Sequence, residues 1–468
     1  MNYRNLIISF FLICVIALPG CKTQTPNSHT SPTKTPSSST EAPSVTTETP
    51  APTTEATPNA TVTQTPITEI TPVTAEELFE YVISKWKQGK TENLYEYADV
   101  ALINLLNKDD FTSMFENISN LGGTLNDITN KQVSSTDGIA TYTADLDFDN
   151  ITTNLTLAIN DLKICGITYN NHFKHTFEIN HDNNITEQYF LLENSGYQLN
   201  AVYTHVNDGN PHPAVLLIAG SGPSDYNETI GILAPFEDIA LGLAQNGINS
   251  LRVDKRTLNY ASDFGVDYGI KDEYLDDCNT AIDFLRKQNC SGLYLFGHSL
   301  GGQIAAELAL TNNDINGILL FNSTARHLAD IMCDQYTVLD PANITSYTAL
   351  AEAAKLATDA TSQGHYYYGV PDTYWASYNQ TDTGKSITGA NVKALIINSA
   401  SDQQIFEADI SLWNTLFKDN KNVTIQQFDD ISHFGYKIDT SDPTAVYQHA
   451  EFPKELITAF SEFIKTEP

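Results

Sequence analysis

The stretch LYLFGHSLGG, residues 293–302, carries an apolar run straight into a serine with glycine close on either side. Gly297-His298-Ser299-Leu300-Gly301 is the chain's one G-x-S-x-G, with a β-like run before it and the helical pattern GGQIAAELAL after it. Small residues let the strand and helix approach closely enough to force Ser299 into a sharp turn, with its hydroxyl projecting at the end of the sheet. The helix N-terminus beneath it favours developing negative charge. These residue types in this order mark a nucleophile rather than an ordinary turn.

An alcohol is a weak nucleophile unless a base removes its proton. His433, in DDISHFGY, lies just past the run VTIQQF, where a base belongs. His449 competes, but PTAVYQHAEF reads as the approach to the last helix. His298 is tied to the turn itself, and His327 and His365 fall in a long insertion. Asp402, in INSASDQQI, follows the preceding apolar run and is placed to orient His433 and stabilise its imidazolium. Asp429 and Asp430 share the loop of the base and read as solvated. An oxyanion needs preorganised donors. The backbone N–H of Leu300 is one, and the turn GSGPSDYNE (220–228) offers Ser221, with Gly222 next. There is no C-x-x-C or H-E-x-x-H, so this chemistry calls for neither metal nor cofactor.

Side chains so distant in sequence meet only if strands carry them to one edge. AVLLIAG (214–220), INSLRVD (248–254), LYLFG (293–297), GILLF (317–321), ALIINS (394–399) and VTIQQF (423–428) are short apolar runs separated by helical segments. That rhythm predicts an α/β fold whose mostly parallel sheet is buried on both faces. Ser221, Ser299, Asp402 and His433 each follow the carboxyl end of such a run. The segment between GILLF and ALIINS is far longer than an ordinary crossover, so about 326–390 reads as a helical cap over the ligand-binding edge.

The rest of the chain divides into three parts. Residues 74–165 begin with Thr74 and Glu77 at capping-box spacing and shift from helical periodicity to alternation, which predicts a small α+β accessory domain before the catalytic domain at 172–468. Residues 22–73, almost wholly Thr, Ser, Pro and Ala, cannot bury enough apolar surface to fold. They read as a disordered tether reaching roughly 40 Å as a coil. Residues 1–21 read as a secretory leader: Arg4, then the apolar LIISFFLICVIAL, then Leu18-Pro19-Gly20-Cys21. With 25 Lys plus Arg against 57 Asp plus Glu, the net charge of −32 excludes nucleic acid as a partner. Beyond the leader, four cysteines in so long a chain are no disulfide framework, although Cys278 and Cys290 flank one helix.

The order Ser, Asp, His and these motifs resemble bacterial α/β-hydrolase esterases of the secreted or lipoprotein kind, near the dienelactone hydrolase and acyl-peptidase branches. Their turn motif is matched by Gly220, Ser221, Gly222, Pro223, Asp225 and Glu228, with Tyr226 where Arg is usual. A second signature is matched by Arg252, Asp254, Lys255 and Arg256, with Thr257 where Gly is usual. The Leu-Pro-Gly-Cys stretch resembles a lipobox, which implies a lipid on Cys21 and attachment to the outer face of a membrane. The resemblance covers about 172–468, and the part before it is similar to a small α+β domain that often precedes such hydrolases. It implies a carboxylesterase for short acyl chains acting through an acyl-enzyme. Arg252, Asp254 and Arg256 are read as structural charges. A peptidase or thioesterase with the same triad, or a silent hydrolase-fold binding lipoprotein, are the other readings.

Overall fold

The computed structural model describes residues 71–182, 184–359, 361–438 and 450–466. Cys21, the leader, most of the Thr/Ser/Pro-rich segment and His449 lie outside the described residues.

In chain order the described helices are α1 (Ala75–Lys87), α2 (Val100–Leu105), α3 (Lys108–Gly122), α4 (Pro235–Gln245), α5 (Arg256–Asn259), α6 (Asp276–Arg286), α7 (Leu300–Thr311), α8 (Leu328–Leu339), α9 (Ile344–Lys355), α10 (Asp372–Tyr378), α11 (Thr383–Ala390), α12 (Glu407–Phe417) and α13 (Lys454–Lys465). Four strands, β1 (Leu125–Thr136), β2 (Ile139–Phe148), β3 (Ile151–Asn160) and β4 (Lys163–Phe173), form an antiparallel meander. Eleven more follow: β5 (Phe177–Asn180), β6 (Ile185–Asn194), β7 (Tyr197–Val206), β8 (His212–Ile218), β9 (Asn249–Val253), β10 (Cys290–His298), β11 (Gly317–Phe321), the short pair β12 (Tyr366–Tyr367) and β13 (Val370–Pro371), β14 (Lys393–Ser399) and β15 (Val423–Phe428).

The large sheet has the order β15-β14-β11-β10-β8-β9-β7-β6-β5. From β15 through β9 every pair is parallel, and β7, β6 and β5 add an antiparallel edge. The six apolar runs are the six parallel strands, and this is the α/β-hydrolase fold. Alternation along each strand divides the side chains between two cores. Val215 and Leu217 of β8 join Phe236, Leu243, Leu456 and Phe460 under α4 and α13. Leu216 and Ile218 join Ile282, Ala305 and Trp413 under α6, α7 and α12.

The insertion after β11 holds two kinds of element. Helices α8, α9 and α10 form the cap, and Tyr378 joins it to the site by donating to Gln303 Oε1 (2.6 Å) in the first turn of α7. Helix α11 instead lies along α7, where Ser386 bonds Glu307, and so belongs to the layer flanking the sheet.

In the N-terminal unit, α1 starts on the Thr74–Glu77 capping box. Its apolar face, with Leu78, Phe79, Val82 and Trp86, packs on β2 and β3. The unit's sheet differs from the sequence expectation in two ways. Strand β1 pairs along the edge with almost every residue exposed, so it has no apolar alternation to reveal it. Strand β4 runs past residue 165 to Phe173, and the core it shares includes Tyr189, Val202 and Tyr226 of the larger fold. Phe173 sits 5.5 Å from the Tyr189 ring and 5.4 Å from that of Tyr226. Cys165, Cys278, Cys290 and Cys333 are free thiols.

Phe173 therefore joins two bodies of structure rather than decorating one. Phe173→Ala is expected to lower unfolding stability by about 3–5 kcal/mol in urea titration. A loss below about 1 kcal/mol would show that the shared aromatic cluster is not what holds them together.

Candidate active site

Ser299 stands between β10 and α7 with φ 52° and ψ −122°, a strained backbone for a residue with a Cβ. Close approach sustains it. A Cβ at Gly297 would lie 2.1 Å from the Gly301 carbonyl oxygen, and one at Gly301 would lie 2.2 Å from that of Ile218. Only hydrogen fits at either place. The Ser299 N–H donates to the Phe321 carbonyl (2.9 Å), and its carbonyl accepts from the Ser323 hydroxyl (2.6 Å). Leu300 opens α7, where first-turn N–H groups have no intrahelical acceptor.

The structure brings Asp402 and His433 together. His433 Nδ1 lies 2.7 Å from Asp402 Oδ2, and the Asp402 side chain is fully buried. Its other oxygen accepts from the N–H groups of Gln404 (2.7 Å) and Ile405 (3.1 Å), so the carboxylate cannot swing away. When Nδ1–H donates a hydrogen bond to Asp402, a neutral imidazole keeps the Nε2 lone pair free to accept a proton.

Two hydrogen-bonded connections tie the segment of Ser299 to that of His433. Among the described residues the Ser299 hydroxyl makes no hydrogen bond of its own, and such bonds often tighten only with substrate bound. Consecutive residues bind both partners: Phe321 holds the Ser299 N–H, and Asn322 Nδ2 donates to the His433 carbonyl (2.8 Å). Asn322, buried at φ 44°, also donates to the Ser432 carbonyl (3.1 Å) and accepts the Ser399 N–H (2.8 Å), joining the acid-bearing strand to the base loop.

His298 makes the second connection. Its ring centroid is 4.6 Å from that of His433, its Nε2 is 2.9 Å from the His433 carbonyl, and its Nδ1 is 2.8 Å from Glu228 Oε1. The same Glu228 oxygen accepts the Gly220 N–H (2.7 Å). A carbonyl and a carboxylate are both acceptors, so an imidazolium satisfies both ring nitrogens. Burial opposes that charge, but the Glu228 carboxylate overcomes it and holds the His298 pKa above the ordinary value.

Ser221 and Gly222 lie on the loop after β8, with Ser221 exposed. A Cβ on Gly220 would be 3.2 Å from that of Ser299, so the loop abuts the serine. Asp429 and Asp430 are exposed, whereas Arg252, Asp254 and Arg256 are buried. Sequence reasoning missed Asn322, and it gave no role to His298 or to Glu228, which it named only as part of the turn motif. The available signal for Asn322 was a run of polar residues, Asn322-Ser323-Thr324, at the end of a wholly apolar strand. Among the described residues no group of three or more His, Cys, Asp or Glu side chains could hold a metal ion.

The raised pKa of His298 has a definite sign in stability. Its folded value lies above the unfolded value near 6.5. The ion pair's contribution is therefore complete below that pH and is lost as pH rises through the folded value. The stability difference between wild type and His298→Gln is expected to be largest near pH 6 and to shrink at alkaline pH. Urea midpoints measured across that range check it, and a difference independent of pH would refute the imidazolium.

Residues 225–342 match the family model described as serine aminopeptidase, S33. Esterase EstD of Thermotoga maritima is 31% identical over 226 residues, which are 48% of this chain and 54% of the relative. The chain thus spans about half the length of the curated relative it matches. Among solved structures, Est1E from Butyrivibrio proteoclasticus overlaps 59% of this chain and 97% of its own, at 14% identity and a TM-score of 0.40. An acylaminoacyl peptidase in complex with a chloromethyl ketone overlaps 72% and 56%, at 13% identity and 0.42.

Proposed function

We propose that the chain is a serine carboxylesterase that hydrolyses short-chain acyl esters. The observation that supports this reading is the hydrogen bond from His433 Nδ1 to the buried Asp402 carboxylate, on a loop that Asn322 and His298 tie to the strained Ser299 turn. The likeness to an esterase over half of that relative's length supports the substrate class.

In the reaction, Ser299 Oγ attacks the ester carbonyl carbon while His433 Nε2 takes the hydroxyl proton. Asp402 steadies the imidazolium, and the N–H groups of Leu300 and Ser221, with Gly222 adjacent, receive the oxyanion. The carbon–oxygen bond to the alcohol breaks, and His433 passes its proton to the departing alkoxide. Water then attacks the acyl-enzyme with His433 again as base, releasing the carboxylic acid and restoring Ser299. The family model's description favours one second reading, amide hydrolysis by the same residues.

Recombinant protein is expected to hydrolyse p-nitrophenyl acetate and butyrate faster than aminoacyl p-nitroanilides. Ser299→Ala is expected to lower kcat by about 10³-fold or more and to abolish fluorophosphonate labelling. Undiminished turnover in that variant would sink the assignment, and faster cleavage of the anilides would favour the peptidase.

The lipobox-like Leu18-Pro19-Gly20-Cys21 supports a further element of the proposal, lipid attachment through Cys21 at the outer face of a membrane. Cells fed a radiolabelled fatty acid are expected to label the wild type and not Cys21→Ala. Equal labelling of both would exclude this site.

A further inference from the structure

We propose that Lys255, acting with Tyr274, is a positioning residue that aims the Ser221 N–H at the oxyanion. The inference rests on the acyl-transfer reading above and concerns the peptide joining Gly220 to Ser221.

That peptide is gripped from one side. The Gly220 carbonyl accepts from the Tyr274 hydroxyl (2.5 Å) and from Lys255 Nζ (3.1 Å). Lys255 Nζ also lies 2.6 Å from the Gly222 carbonyl, 2.7 Å from the Tyr274 oxygen and 2.6 Å from Glu273, so that its three hydrogens are shared among four acceptors. Lys255, Tyr274 and Glu273 are all buried, and the ammonium lies 3.9 Å from the centre of the Tyr274 ring. Glu228 holds the N–H of Gly220 from the preceding peptide (2.7 Å). The loop can neither flip nor slide without breaking several of these bonds.

A planar trans peptide points its C=O and N–H in opposite directions, and the described residues contain no cis peptide. Fixing the Gly220 oxygen on Lys255 and Tyr274 therefore turns the Ser221 N–H away from them. Among the described residues that N–H has no protein acceptor, although the turn around it is densely bonded. Ser221 is exposed, and the preceding Gly220 is packed against Ser299.

The relay also makes the donor stronger. Lys255 polarises the Tyr274 hydroxyl, which pulls on the Gly220 carbonyl, and bonds in such a chain reinforce one another. Electron density withdrawn through the peptide leaves the Ser221 N–H a better partner for a developing oxyanion.

The test compares Lys255→Met, the double variant Lys255→Met/Glu273→Gln, which leaves no unpaired buried carboxylate, and Tyr274→Phe, which removes only the hydroxyl. Steady-state hydrolysis of p-nitrophenyl butyrate and the rate of fluorophosphonate labelling at Ser299 are the readouts. Loss of an oxyanion donor costs about 10²–10³-fold in kcat, so a misaimed one is expected to cost about 10–100-fold in both Lys255 variants. Tyr274→Phe is expected to lose less, about 3–10-fold. KM should stay within about threefold of wild type, because the effect falls on the transition state. Labelling should slow in parallel with kcat. If a Lys255 variant does not fold, Tyr274→Phe decides alone. Unchanged kcat and labelling in the folded variants, or a rise in KM alone, would overturn the proposal while leaving an esterase intact. Labelling without ester turnover would instead refute the substrate class, and the labelling rates would still decide the role of Lys255.

Discussion

A histidine sealed from water, with a carboxylate at one ring nitrogen and a carbonyl at the other, satisfies both by carrying a charge. That requirement organises the edge of the sheet. Its Nδ1–H goes to Glu228, which also holds the Gly220 N–H, and its Nε2–H goes to the carbonyl of His433. The loop after β8, the turn after β10 and the loop after β15 thus share one buried ion. In a medium of low dielectric an unpaired member would be costly, so each loop is held where the other two need it. The strained backbone of Ser299 persists because its surroundings over-determine it.

The N-terminal unit enters the same construction through Tyr226. This residue stands where the resembling esterases usually carry Arg, and its ring packs in the cluster of Phe173 and Tyr189. Its backbone N–H donates to Asp254 (2.8 Å), and Asp254 accepts from Asn200, which in turn accepts the Phe173 N–H (2.9 Å). The loop carrying Ser221 is therefore bounded on one side by the Glu228–His298 pair and on the other by the core of the first 100 or so described residues. A long arginine would have to bring a charge into that aromatic cluster, whereas tyrosine fills it with a ring.

What was legible in the sequence follows from which signals are local. The central parallel strands β8, β10, β11 and β14 are buried apolar runs, and the elbow needs glycine at fixed offsets, so both could be read directly. Asp402 and His433 stood out because each follows a strand, in the order Ser, Asp, His. Strand β1 was invisible because an exposed edge carries no burial pattern. Asn322, Glu228 and Lys255 were harder for another reason. Each is an ordinary polar residue whose partners lie far away in the chain: Asn322 bonds the carbonyl of His433, Glu228 the ring of His298, and Lys255 the oxygen of Gly220. Only the sheet order brings them together.

The segment after β9 shows how such long-range bonds are enforced. Arg252 pairs with Glu187 of β6, Lys255 with Glu273 just before α6, and Arg256 with Asp277 inside α6 through two parallel hydrogen bonds. All six side chains are buried. Buried ion pairs add little net stability, since desolvation consumes most of the Coulombic gain, but breaking one leaves a charge stranded. Their effect is on geometry. Three cations within five residues, each with its own carboxylate, allow this segment a single register against its neighbours. Lys255 sits in the middle of that key, so the ammonium beneath the Gly-Ser-Gly turn is located by the pairs on either side of it. The apolar cores supply the stability that keeps so many charges out of water.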